Sequence, residues 1–472
     1  MNKYLNHIVF KKISHLTDYL KIESFVVGGF VRDCIINEKA KFEDIDIVCN
    51  KDAIALANLL AKELKIKDVT IFKNFGTAMI KYKHIHIEFI NARKEYYEKN
   101  SRKPKIKYGS LIDDQNRRDF TINAMSISLN KKNFGELIDP FNGQNDLKEK
   151  VIKTPLDPDK TFSDDPLRMF RAVRFANQLN FHIEKETLLS IKRNRQRIEI
   201  LSNERIIDEF EKILLCKKPS FGLKLLFDLG ILKIFFTEFY DLHGTEKINN
   251  HSHKDNFYHT LEVIDNVRRK SNNIWLIWSA LLHDIAKPKT KRYCKKEGWT
   301  FHGHEYLGSK MVPKIFKKLK LPLNDNMKYV QKLVLLHLRL IPLTKKNVTD
   351  SAFRRIIFEA GNDINDLYVL CEADITSKNK EKVNKYLNNI EFVKSKIEEI
   401  EKKDKLRDFQ PPVDGKIIMQ TFNLKPSKLV GEIKFKIREA ILNGEINNNK
   451  KEAQNYMYKI GKELKIYKWK KS

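Results

Sequence analysis

The chain has 472 residues, 42% hydrophobic and 32% charged, which is the balance of a folded soluble protein and excludes a disordered one. At roughly 100–200 residues per domain, its length excludes one ordinary core and predicts three or four units. Lys plus Arg is 90 against 61 for Asp plus Glu, so the formal net charge is +29. Such an excess attracts polyanions, although a Lys-, Asn- and Ile-rich bias along the whole chain accounts for it equally well. The five cysteines, Cys34, Cys49, Cys216, Cys294 and Cys371, form no CxxC pair, which points to reduced thiols in a cytoplasm. No apolar run approaches the ~18 residues that span a bilayer, so no membrane partner is expected.

In chain order, MNKYLNHIVFKKISHL reads as an amphipathic helix, since charges interrupt its apolar residues. FVVGG reads as a strand entering a turn, DIDIV as a strand, AIALANLLAKEL as a helix, and TAMIKY and HIHIEFI as strands. From about Asp164 the apolar spacing becomes helical, through LRMFRAVRFANQL, ERIIDEFEKILL and FGLKLLFDLGIL, with almost no strand signal. A charge-rich helix is expected near Lys380 to Lys403, reading as a solvated face, and Pro411–Pro412 opens a basic C-terminal segment.

The stretch FVVGGFVRDCIINEKAKFEDIDIVCN, Phe25 to Asn50, carries chemistry. Gly28-Gly29 leave no Cβ where a ligand could approach the backbone, and the helix that follows adds its positive end for a phosphate. Arg32, one turn in, can fix a triphosphate oxygen. Asp44 and Asp46 are two apart on a strand and share a face, an arrangement that suits Mg²⁺. HIHIEFI places His84, His86 and Glu88 on one face and Ile85, Ile87 and Phe89 on the other, which makes Glu88 a candidate third carboxylate. Taken singly, a Gly-Gly pair is an ordinary turn and a DxD an ordinary strand end.

GGFVRD followed by DID resembles the signature of the nucleotidyltransferase superfamily that includes DNA polymerase beta. It is similar in particular to the class II tRNA nucleotidyltransferases (CCA-adding enzymes) and bacterial poly(A) polymerases. The resemblance implies that Asp44, Asp46 and Glu88 are catalytic and that Gly28, Gly29, Arg32 and Asp33 belong to the nucleotide site. In RRDFTINAMS it implies that Arg118 binds phosphate or ribose, with Asp119 and Asn123 close by. The residues alone allow an ordinary helix start capped by Asp119. IDPFNGQNDL resembles the family's next motif, a connection between domains, and reads by itself as a Pro/Gly/Asn turn.

DDPLRMFRAVRFANQLNF, Asp164 to Phe181, is the most informative stretch. Pro166 suits the first turn of a helix, and Asp165 and Arg168 share a face. Surface ion pairs would explain them, and so would base recognition. Arg only donates and ionised Asp only accepts, so one Asp-Arg pair matches the acceptor-donor edges of cytosine and adenine. Uracil and guanine present the reverse order and would leave buried groups unpaired, at about 1–3 kcal/mol each. The resembled family uses such a motif as a protein template. Here Asp164 stands where Glu is common and takes a supporting role, while Arg171 and Arg174 match further nucleotide-contacting arginines. SNERIIDEFEKIL fits the motif that buttresses this region, and equally a capped amphipathic helix.

A second resemblance, to HD-domain phosphohydrolases, lies in FYHTLEVID, WSALLHDIAKP, FHGHEYLG, LVLLHLRL and LCEADITS. It implies a divalent-metal site of His259, His283, Asp284 and Asp374, with His304 and His337 as accessory histidines. Convergent His and Asp side chains can hold such an ion, which lowers the pKa of bound water.

The expected fold is α+β. A polymerase-beta-like nucleotidyltransferase head, a small mixed sheet with helices, spans residues 1–155. A helical neck that selects the base and binds RNA covers 156–245, an HD domain 246–378, and a helical basic tail 379–472. The expected function is addition of C, C and A to the 3′ end of tRNA from CTP and ATP, without a nucleic-acid template, with Mg²⁺. The alternatives are a poly(A) polymerase, an A-adding or CC-adding enzyme, or an HD phosphohydrolase with an RNA-binding N-terminal part.

Overall fold

A computed structural model describes residues 2–37, 43–73, 76–96, 105–248, 251–345, 348–377, 379–404 and 412–466. Pro411 lies outside them. The chain forms two compact units, Met1–Tyr240 and Asp241–Ser472.

The first unit opens on a 3-10 turn, Asn2–Leu5, separate from the helix Ile8–Leu20, so MNKYLNHIVFKKISHL is not one helix, and then builds a sheet. Its strands are β1 (Ser24–Val27), β2 (Asp44–Cys49), β3 (Val69–Phe72), β4 (Thr77–Tyr82) and β5 (Ile85–Asn91). A separate hairpin follows, β6 (Arg93–Tyr96) with β7 (Lys105–Tyr108), and then β8 (Ser126–Ser128) and β9 (Leu137–Ile138) return to the sheet. The strand order is β3-β4-β5-β2-β1-β8-β9, with β2 and β5 parallel and the other pairs antiparallel. In β5 the alternation of HIHIEFI becomes alternate burial: Ile85, Ile87 and Phe89 enter the core, and His86 and Glu88 face outward. Helices Ile8–Leu20 and Ala53–Glu63 pack together, and the latter also covers β4 and β5. On the other side Phe25, Val27, Val48 and Ala92 form a cluster closed by Leu111 and Ile138.

Beyond the sheet the first unit is helical apart from a short parallel pair, Val151–Ile152 with His182–Ile183. Pro166 precedes the helix Leu167–Leu179, which packs on Asn203–Leu214 and Pro219–Asp228. FGLKLLFDLGIL does not continue as one helix. Gly230, at φ +74°, ends one segment and starts the short helix Ile231–Phe235. Ser202 precedes Asn203–Leu214 without making a side-chain cap bond.

In the second unit Asn256–Lys270 packs against Ile274–Leu282 and Ile364–Asp374, and His304–Leu319 against Asp325–Leu336. A hairpin of Arg292–Cys294 with Gly298–Thr300 interrupts the helices, its turn using Gly298 at φ +74°. Lys380–Asp404 is a single helix, followed by Gly415–Phe422, Lys428–Asn443 and Lys450–Glu463.

Candidate active site and HD cluster

β1 ends at Val27, and Gly28 takes φ +76° before the helix Gly29–Ile36 begins. A Cβ on Gly28 would meet Arg118 Nη1 at 3.0 Å and Asp46 Oδ2 at 3.5 Å. The bare turn thus sits against an acid and a cation that reach it from elsewhere in the chain. Replacing Gly28 by alanine is expected to displace Arg118 and raise the KM for nucleotide roughly tenfold. Steady-state incorporation kinetics would check this, with circular dichroism to establish that the variant is folded.

Parallel pairing of β2 with β5 sets Asp46 opposite Glu88 and Asp44 opposite His86. Ile45 and Ile47 are buried on the other face. Burial raises the pKa of Asp46, Arg118 opposes the rise, and Asp44 adds to it. Burial also raises the pKa of Glu88, and the Asp46 carboxylate pushes it further. Asp46 and Glu88 are part-buried acids whose charges oppose one another, and the exposed Asp44 shares their face; oxygens of this kind are the donors a hard divalent cation takes.

Two further acids order the arginines. Asp114 is fully buried and receives Arg118 at 3.0 Å and Arg117 in a close contact. Arg118 Nη1 also donates to the Asn123 carbonyl at 3.4 Å. Arg32, 5% exposed, donates to Asn123 Oδ1 at 2.8 Å and to Asp33 at 2.8 Å. Asn123 in turn donates to Asp119 at 3.0 Å. Asp119 accepts both Nε and Nη2 of Arg171, at 2.7 and 2.6 Å. Burial raises the Asp119 carboxyl pKa, but Arg171 and Asn123 outweigh it and hold it below the usual carboxylate value. This chain of bonds joins the glycine turn to the helix Leu167–Leu179. Replacing Asp119 by alanine strands Arg171. Since that guanidinium is 34% exposed, the expected cost is about 2–3 kcal/mol. The thermal transition of this unit should fall by roughly 5 °C, as read by differential scanning calorimetry.

Arg168 Nη2 donates to the Arg117 carbonyl at 2.7 Å, and Asp165 Oδ1 accepts the Leu167 amide at 3.2 Å. Arg168 and Asp164 border a cleft of about 230 Å³ with Arg117, Lys160 and Glu95, whereas Asp165 is not part of its lining. Arg174 pairs with the buried Glu209 at 2.6 Å, which ties Leu167–Leu179 to Asn203–Leu214. Asp114 and Glu209 escaped the sequence reading. Asp114 left a trace, standing three and four residues before Arg117 and Arg118, but nothing local marks Glu209 as the partner of Arg174.

In the second unit six side chains converge. His259 Nε2 lies 2.8 Å from Asp374 Oδ1, and His283 Nε2 is 3.2 Å from Asp284 Oδ2. His304 Nε2 is 3.3 Å from Asp284 Oδ1 and 3.3 Å from His337 Nε2. Two ligand groups share Asp284: His259 with His283, and His304 with His337. Burial lowers the His283 pKa, and the Asp284 and Asp374 carboxylates outweigh it, raising it to about 10. Burial lowers the His337 pKa to about 4, assisted by His283. His283 Nε2 and Asp284 Oδ2 are buried without hydrogen-bond partners of good geometry. These convergent nitrogen and oxygen atoms fit a divalent metal, which would displace the proton from His283. Lys287, 2.7 Å from Asp284 Oδ2, stands three residues beyond it, a spacing visible in HDIAK.

Comparison with known proteins finds relatives for both regions of the chain. Residues 24–153 match the Poly A polymerase head domain, 180–242 the probable RNA and SrmB-binding site of polymerase A, and 256–379 the HD domain. The A-adding tRNA nucleotidyltransferase of Deinococcus radiodurans is 30% identical over 352 residues, 71% of this chain and 76% of that protein. The CCA-adding enzyme of Limosilactobacillus reuteri is 28% identical over 435 residues, 90% of each chain. The A-adding enzyme of Aquifex aeolicus is 43% identical over 166 residues, 35% of this chain and only 20% of that relative's length. A solved CCA-adding enzyme without ligand has the same fold, with a TM-score of 0.65 at 24% identity over 97% of this chain and 96% of that one. These matches define a nucleotidyltransferase with a polymerase A head and an HD domain. The chain belongs to the tRNA nucleotidyltransferase family, whose curated members include both CCA-adding and A-adding enzymes.

Proposed function

We propose that the protein adds C, C and A to the 3′ end of tRNA, taking CTP and ATP and releasing pyrophosphate. The observation that carries this reading is the Asp44, Asp46 and Glu88 face beside the bare Gly28 turn and Arg118. Those carboxylates would hold Mg²⁺, which supplies Lewis-acid polarisation of phosphoryl oxygens when bound. Arg32 and Arg118, fixed by Asn123 and Asp114, grip the triphosphate and ribose with the Gly29 amide, while the Gly28 amide donates to the Met125 carbonyl and sets the turn. Asp33, Asp119 and Asn123 hold these cations in place. The tRNA 3′-hydroxyl oxygen then bonds to the α-phosphorus as the bond to the β-phosphate breaks. Asp165 and Arg168 read the base edge, and Arg171 and Arg174 order the helix that carries them.

Among the described residues no helix is long and apolar enough to cross a membrane. With the buried free thiols Cys34, Cys49 and Cys371, this agrees with work on tRNA in the cytoplasm. The test offers tRNA transcripts ending at the discriminator, at C and at CC to the purified protein with all four nucleotides, and sequences the products. Addition of C, C, A and then a stop is expected. Extension of the CC end alone would replace this reading by an A-adding enzyme, and a long A tail by a poly(A) polymerase.

The shared Asp284 favours a second activity in the same chain, metal-dependent phosphoester hydrolysis at the HD cluster. His259, His283, Asp284 and Asp374 would hold a divalent ion there, with His304 and His337 on the other side of Asp284.

A further inference from the structure

Three of the arginines at the head site gather round one ring. Phe175, 5% exposed, lies in the last part of the helix Leu167–Leu179. Its ring centroid is 4.0 Å from the Arg174 guanidinium carbon, 5.3 Å from that of Arg171 and 5.1 Å from that of Arg32. Arg171 and Arg174 belong to the same helix as the ring, whereas Arg32 comes from Gly29–Ile36. The Phe120 ring meets Phe175 nearly at right angles, at 5.8 Å and 82°. Like charges gathered this closely repel. Burial lowers the Arg174 pKa, Glu209 opposes that, and the Arg171 charge adds to it. Asp119 answers Arg171 and Glu209 answers Arg174, and both acids are buried. The acid beside Arg32 is Asp33, whose side chain is 49% exposed and therefore screened by water.

We infer that Phe175 is a positioning residue for nucleotide binding: its ring holds the Arg32 guanidinium in place for the triphosphate and ties it to the helix that carries Arg168. The inference deepens the transferase reading and rests on its assignment of Arg32 to the triphosphate. A guanidinium within about 6 Å of an aromatic centroid is attracted by the negative face of the ring, and more strongly where water is shut out. An aliphatic side chain of similar size fills the space and attracts no cation. Arg32 is fixed otherwise by Asn123, a neutral amide, and by the screened Asp33. Of the three cations it therefore depends most on the ring. Held before the nucleotide arrives, it loses little freedom when the triphosphate binds. Because the ring stands on the base-reading helix, a shift of that helix moves Arg32 as well. Base reading and triphosphate grip are thus joined by the ring as well as by the bonds through Asn123 and Asp119. In LRMFRAVRFANQL the same residue reads only as part of an apolar face.

The test uses the full chain with Phe175→Leu and, separately, with pentafluorophenylalanine in place of Phe175. Fluorination keeps an apolar ring of nearly the same shape and abolishes its negative face. Calorimetry measures binding of ATP, CTP and inorganic triphosphate, and steady-state incorporation gives KM and kcat. Both substitutions should weaken binding of all three ligands about tenfold and raise the nucleotide KM by the same factor. At saturating nucleotide kcat should stay within about twofold, and the thermal melt of the fluorinated chain should match that of the unmodified one. In an Arg32→Ala background the same changes at Phe175 should weaken binding little further. Fluorinated-chain affinities equal to those of the unmodified chain overturn the inference, and so does a loss of the same size in the Arg32→Ala background. If the unmodified chain adds no nucleotide to tRNA while its ATP affinity still depends on the ring, the transferase reading fails and the role of Phe175 stands.

Discussion

Replacing Asp46 by alanine is expected to lower nucleotide incorporation by about 10³-fold or more, while tRNA binding stays within about twofold of the unmodified chain. The side chain faces out of the sheet toward Gly28, opposite Glu88, with Ile45 and Ile47 holding the strand from the other face. Its loss therefore leaves the core intact. Burial is the main cause of the raised Glu88 pKa and Asp46 adds to it, so removing Asp46 relieves that repulsion while losing its attraction to Arg118, and stability should change little. Single-turnover incorporation, filter binding of tRNA and a thermal melt measure the three quantities. Near-normal turnover in this variant would mean that the reaction is carried elsewhere.

The second large effect concerns which base is added. In the Arg168→Ala variant the ratio of C and A incorporation to U and G incorporation should fall by roughly 10–100-fold, since the wrong bases no longer leave a buried donor unpaired. Arg168 also donates to the Arg117 carbonyl, so its loss should slow every nucleotide somewhat. The ratio separates recognition from that common loss. Asp165→Ala should move the ratio in the same direction. If both variants slow all four nucleotides equally, the two side chains position the helix Leu167–Leu179 and do not read the base.

Much of the head was legible because its signals are local. Strands alternate with period two, so Asp44 with Asp46 and His86 with Glu88 could be assigned to exposed faces, and the burial of Ile45, Ile85 and Ile87 follows that pattern. Gly28 stood out only in company: a Gly-Gly pair alone is an ordinary turn, and it was GGFVRD followed by DID that singled it out. The pairing of β2 with β5, which brings Glu88 beside Asp46, was not readable, since register across strands distant in sequence is set by the whole sheet. Glu209 was hidden for the same reason: its partner Arg174 is chosen by helix packing. The hairpin around Gly298 has strands too short to show a period. The helix Lys380–Asp404, expected to be a solvated face, misled through composition, since its lysines and glutamates masked Ile390, Val393, Ile397 and Ile400, which it buries.

The most direct test of the central claim measures single-turnover incorporation of each of CTP, ATP, UTP and GTP, offered separately with Mg²⁺, onto a tRNA transcript that ends at the discriminator and one that ends in CC. The account predicts CTP on the first transcript, ATP on the second, and UTP and GTP slower by about 10²-fold or more on both. Comparable incorporation of all four nucleotides, or none of any, would contradict it.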